Sequence, residues 1–169
     1  KDIHQAKRCV LDYLGASLAG AAMQRNKLLL LLSGLGSENG TCTVIGFENK
    51  TSAATAALVN GMSAHVAEMD DGSRFGMMHP GAPIISAMFA AAQTHNLDGN
   101  SILRGIVIGY ETAIRLSSSI QPGHKERGFH ATGTCGAIGA AVAVIAALKG
   151  TKIEYEAAIA AAATGASGL

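Results

Sequence analysis

Apolar residues recur every three to four positions over most of this chain, and that spacing predicts helices. In residues 3–23, Ile3, Ala6, Val10, Leu14, Leu18 and Ala21 make one stripe, with Asp2 placed to cap the start. Gly15 and Gly20 lower the helix propensity there, but small residues also let neighbouring helices approach closely. A short apolar helix is expected at 28–32, followed by a Gly/Ser/Asn breaker at 33–40. From Thr51, SAATAALVNGMSAHVA reads as an Ala-rich helix ending near a polar stretch. Pro80 suits the first turn of another that ends near Thr94, with His79 at its cap. Residues 101–119 align Ile102, Ile106, Gly109, Ala113 and Leu116 on one face. Thr132 or Thr134 can cap a helix running through Lys149, with Gly150 as its stop. Thr151 and Glu154 form a capping box ahead of a last helix at 155–165. Only 41–47, TCTVIGF, has the β-branched content of a strand. The expected class is all-α, a helical bundle with at most one or two short peripheral strands.

The apolar rhythm breaks once in a chemically rich way. Residues 60–84, NGMSAHVAEMDDGSRFGMMHPGAPI, bring His65, Glu68, Asp70, Asp71, Ser73, Arg74 and His79 around a Gly-containing loop. Acids, a hydroxyl, a guanidinium and two imidazoles are what proton transfer on an anionic substrate requires. Each has a plainer role open to it. His65 can be a satisfied core histidine, Asp70 and Asp71 loop caps, and Glu68 and Arg74 a surface pair. His65, Glu68 and His79 are also conceivable metal ligands, but their spacing matches no standard motif and nearby cations oppose it.

A second cluster follows in the exposed-looking basic loop at 121–129 and the helix start after it, with His124, Lys125, Arg127, His130, Thr132 and Thr134. Fixed positive charge, hydroxyl donors and free N–H groups at a helix start suit a carboxylate or phosphate. An ordinary solvated loop is the plainer reading. Gly133, Gly136 and Gly139 recur every third residue, but no strand precedes them. They predict close helix packing rather than a dinucleotide fingerprint. Cys135 reads as a small buried residue.

Composition changes this picture in three ways. The 169 residues amount to one domain, and their net charge of +1 without a basic run excludes a nucleic-acid footprint. With 49% apolar and only 15% charged residues, part of the surface is expected to be covered by another protomer or domain. Three scattered cysteines and no apolar run long enough to span a bilayer point to a reducing, cytoplasmic setting.

The segments ALVNGMSAHVAEMDD, HPGAPI, IGYETAIRL, RGFHATGTCGAIGAAVA and ASGL, in this order and spacing, resemble the MmgE/PrpD family. That family includes 2-methylcitrate dehydratase, cis-aconitate decarboxylase and iminodisuccinate epimerase. The resemblance implies a large all-helical domain with a smaller α/β lid domain, a homodimer, and catalysis without metal or organic cofactor. It places the family's acid ahead of the double Asp on Glu68, where several members have Asp, and the pair itself on Asp70 and Asp71. The hydroxyl that often follows is replaced by Gly72, with Ser73 the nearest substitute. The HPG histidine is His79; the GFH histidine is His130, with Thr132 and Thr134 the hydroxyls after it. Its active-site Lys and its lid fall beyond these residues, so the chain is expected to be the N-terminal part of a longer enzyme, inactive alone.

The implied activity is a lyase acting on a di- or tricarboxylate, with dehydration of a hydroxy-polycarboxylate first and epimerisation or decarboxylation behind it. Taken alone, the chain could instead be a non-catalytic dimerisation module. His79, His130 and Glu68 are the expected catalytic groups. Asp70, Asp71, Ser73, Arg74, Lys125, Arg127, Thr132 and Thr134 are the expected substrate-binding set, unless Asp70 and Asp71 cap the loop that holds His79.

Overall fold

A computed structural model describes residues 2–35, 40–48 and 50–166. In chain order these form α1 (Asp2–Met23), α2 (Arg25–Gly34), β1 (Cys42–Thr43), β2 (Lys50–Thr51), α3 (Ala53–Val66), α4 (Gly81–His95), α5 (Gly99–Ile120), α6 (Gly123–Glu126), α7 (Ala131–Ala147) and α8 (Lys152–Gly165). The chain is all-α, as its periodicity predicts, with one two-stranded sheet at the side. Residues 36–39 of the expected breaker and 167–169 of the ASGL segment lie outside the described residues.

The core is built on α4, which lies against α3, α5 and α7, while α1 covers α3. Ile84, Ile85 and Met88 of α4 are fully buried, together with Tyr13 of α1 and Ile106 of α5. Tyr13 shares a 2.7 Å hydrogen bond with Ser86, so its phenol is not stranded in that core. Glycine sets how closely α5 and α7 cross. A Cβ on Gly109 would stand 2.8 Å from the Gly139 carbonyl oxygen, and one on Gly139 would stand 2.9 Å from that of Gly109. Gly136 meets Pro83 of α4 in the same way, at 2.7 Å. Two members of the glycine repeat are thus packing positions, as expected.

Helix ends follow the sequence in most places. Asp98 Oδ1 accepts from Ser101 N–H at 2.8 Å, so α5 starts at Gly99 rather than at 101. The Thr151–Glu154 capping box is present, and α8 starts directly behind it at Lys152. The end of α7 differs. Lys149, not Gly150, takes the left-handed turn (φ 58°), and Gly150 N–H then donates to Ile145 O at 2.9 Å. Gly150 is needed for a different reason: a Cβ there would come within 2.5 Å of Ile145.

The expected strand at 41–47 is a correction. Only Cys42 and Thr43 pair, antiparallel, with Thr51 and Lys50. Beyond them, the backbone is captured by a side chain of α3. Asn60 donates to Thr43 O at 2.9 Å and accepts from Ile45 N–H at 2.8 Å. Gly46, at φ 82°, then turns the chain. A buried amide mimics the missing strand partner.

Candidate active site

The loop from α3 to α4 doubles back on itself. Ser73 and Met78 exchange backbone hydrogen bonds of 2.9 and 3.3 Å, which returns His79 toward His65 in the last turn of α3. Glu68 (φ 52°) and Met77 (φ 49°) both sit in the left-handed region, where a side chain costs free energy. Strain of this kind persists only where surrounding contacts over-determine the backbone.

Asp71 supplies those contacts. Its Oδ1 accepts from Gly81 N–H at 3.0 Å, capping α4 from the preceding loop, and its carbonyl lies 2.8 Å from His79 Nδ1. A carbonyl only accepts, so His79 donates Nδ1–H and leaves Nε2 as the basic nitrogen. The helix itself begins one residue later than the sequence reading placed it, because Pro80 rather than His79 occupies the cap position. Gly81 has no room for a side chain: a Cβ would lie 2.7 Å from Asp71 Oδ1 and 2.9 Å from Tyr110 Oη. Burial pushes the Asp71 carboxyl above its usual value, partly offset by the Gly81 N–H. The Tyr110 phenol is driven further up by burial and by Asp71 beside it.

Asp70 lies deeper. Its side chain is 2% exposed, with Oδ2 2.9 Å from His65 Nδ1 and Oδ1 3.7 Å from His79 Nδ1. The third imidazole comes from the start of α7. His130 holds the cap position there, stacked on His65 with ring centroids 6.0 Å apart, while His65 and His79 are 5.1 Å apart. Burial, then His65 and His79, lower the His130 pKa below its ordinary value. His130 makes no side-chain cap bond, and neither threonine caps α7 as expected. Thr132 Oγ1 instead accepts from His79 N–H at 2.9 Å, and Thr134 Oγ1 shares a 2.8 Å hydrogen bond with His124 Nε2.

His79 and His130 open onto a cavity of about 590 Å³ that Ser73, Arg74, Met77, Met78, Gln121, Lys125 and Phe129 also line. Two cations and two imidazoles around one opening suit an anion with several carboxylates. Ser73 Oγ also accepts from Gly76 N–H at 3.2 Å, so it holds the turn as well as facing the cavity. Arg127 is exposed and not in this lining. Glu68 is not in it either; with His65, Lys27 and Leu28 it lines a neighbouring groove between α2 and α3. The expected loop at 121–129 contains a one-turn helix, α6, and His124 stacks on Phe129 at 5.1 Å. Lys125 N–H donates to Gln121 Oε1 at 3.2 Å on the same side of the cavity as Phe129.

His65, read from sequence as a possible core residue, is thus the histidine in contact with both others. A polar ring in the last turn of an apolar helix, five residues before an Asp, was the available signal. His65, Asp70 and His79 each offer one donor atom within 4.8 Å of the others. His79 Nδ1–H is donated to a carbonyl and His65 Nδ1 faces the Asp70 carboxylate, so the Nδ1 atoms of this set are already in hydrogen bonds. The donor set therefore fits a hydrogen-bonded cluster better than a metal centre.

The family model for the MmgE/PrpD N-terminal domain matches residues 1–169, and the chain belongs to that family. A protein named cis-aconitate decarboxylase-like protein oryM, from Aspergillus oryzae, is 27% identical over 175 residues, covering 99% of this chain. Cis-aconitate decarboxylase of Aspergillus terreus is 25% identical over 173 residues, again covering 99%. The chain spans 36% and 35% of the lengths of these two relatives. No helix among the described residues is long and apolar enough to cross a membrane.

Proposed function

We propose that this chain supplies the His79–His130 half of a lyase site that acts on a di- or tricarboxylate. One observation carries the reading: two imidazoles, one with its tautomer fixed by Asp71, share an open cavity with Arg74 and Lys125. The cations bind substrate carboxylates and stabilise the negative charge that builds up in the reaction. His79 Nε2, the ring nitrogen not used on the Asp71 carbonyl, is placed to take a proton from a carbon next to a carboxylate. In a dehydration, the electron pair of that C–H bond forms the double bond while the hydroxyl leaves as water, protonated by an acid from the remainder of the full-length protein, and neutral His130 is the second base facing the substrate. Ser73 is the remaining hydroxyl on the cavity wall. Asp70, Asp71, Thr132 and Thr134 position the histidines, and Glu68 acts on His130 from the adjacent groove.

Decarboxylation is the second reading, favoured by the names of both relatives. There the departing carboxylate leaves its electron pair on carbon, and an imidazolium returns a proton to it. Neither route draws on a metal or organic cofactor. The full-length protein would work as a cytoplasmic homodimer, closed by residues outside this chain. Incubating it with 2-methylcitrate, cis-aconitate and iminodisuccinate, followed by ultraviolet absorbance and NMR, tests the assignment. Turnover of a polycarboxylate is expected, with the product identifying the reaction. A folded full-length protein that converts none of the three would contradict it.

A further inference from the structure

Asp70 is a carboxylate with almost no access to water and no hydrogen-bonding partner for Oδ1 among the described residues. Such a charge is tolerated only next to an opposite one. The candidates are two imidazoles, and they are not equivalent. His79 Nδ1–H is spent on the Asp71 carbonyl at 2.8 Å and stands 3.7 Å from Asp70. His65 Nδ1 points at Asp70 Oδ2 from 2.9 Å, with no other hydrogen-bond partner among the described residues. The proton that neutralises Asp70 therefore belongs on His65.

We infer that His65, held as an imidazolium by Asp70, is a positioning residue that keeps His130 a neutral base. The inference deepens the lyase reading and rests on it for the role of His130. A fixed positive charge stacked on His130 at a centroid distance of 6.0 Å makes a second protonation there costly. Lys27 and the cavity cations Arg74 and Lys125 carry the same sign as the His65 charge, while Glu68 opposes it at His130 from an exposed position. From the loop after α3 come Glu68, which is exposed, and Asp70, Asp71 and His79; from α2 comes the exposed Lys27, and His130 itself sits at the cap of α7. Asp12 of α1 acts on Asp71 from the far side, and α4 brings no charged group except His95 in its last turn.

The test uses the full-length protein with ¹⁵N-labelled histidine, so the readout needs no substrate. At neutral pH, ring nitrogen shifts are expected to show His65 with two N–H groups and His130 with one. In His65→Gln, the His130 titration midpoint should rise by about one pH unit, the size expected for a charge at this range. The acid limb of kcat/KM should rise with it. Should His65→Gln not fold, Asp70→Asn serves in its place, with loss of the second His65 N–H expected. A neutral His65 in the native protein, or a His130 midpoint that stays put, overturns the inference. If the shifts appear but no polycarboxylate is turned over, the lyase reading fails and the imidazole arrangement stands.

Discussion

The backbone N–H of His79 donates to Thr132 Oγ1 at 2.9 Å, joining two segments 53 positions apart in sequence. Through this bond the α3–α4 loop and the start of α7 become one site. The threonine is buried and His79 is half-buried, so little water reaches this bond. Thr132→Val keeps the shape and removes the acceptor. It should cost about 1–3 kcal/mol of stability, whereas Thr132→Ser should stay close to wild type. Urea unfolding of the three proteins checks this.

The same logic separates two roles for Asp71. Asp71→Asn keeps an oxygen for Gly81 N–H and removes a buried charge, so its stability at neutral pH should equal or exceed that of wild type. Asp71→Ala leaves the N–H unpaired and should lose about 1–2 kcal/mol. Thermal melts of both variants decide whether the carboxylate is a cap.

Helix packing gives a prediction independent of the site. Gly139→Ala forces a methyl to 2.7 Å from the Ala113 Cβ and 2.9 Å from a backbone oxygen, with no flexible group to yield. A loss of about 1–3 kcal/mol is expected from overpacking. Exposed Gly15, with open space around its missing Cβ, should accept Ala with no loss or a small gain.

The depressed His130 pKa fixes a pH dependence of stability. The unfolded chain binds this proton at about 6.5, and the folded state binds it only at lower pH. Stability is therefore whole above that value and falls as pH drops below it toward the folded-state pKa. Wild type should lose more stability than His130→Asn between pH 7.5 and the acid side of this window. Equal losses would contradict the assignment.

Most of the fold was legible in the sequence because α1, α4, α5 and α8 carry their own periodicity and caps. Pro80 and the Thr151–Glu154 pair mark starts within a residue or two, and the start expected at 101 lies two residues inside α5. The strand was misread because Asn60, far along the chain, replaces its partner, and local β-branching carries no trace of that. Of the site, His79 and His130 stood out as residue types in a familiar order of segments. What could not be read was direction. Whether Asp70 faces the cavity or His65, and whether Thr132 caps its own helix or holds His79, depends on how a strained loop folds back. Glu68 shows the same limit: it was expected beside His79, and the left-handed turn it occupies carries it into the adjacent groove.

The central claim is that His79 and His130 carry the proton transfer. Turnover of the full-length protein on its best polycarboxylate, compared with His79→Ala and His130→Ala, tests it most directly. Each substitution should lower kcat at least ~100-fold, the contribution expected of a positioned general acid or base, with the fold intact. Near-native turnover in both variants would contradict the account.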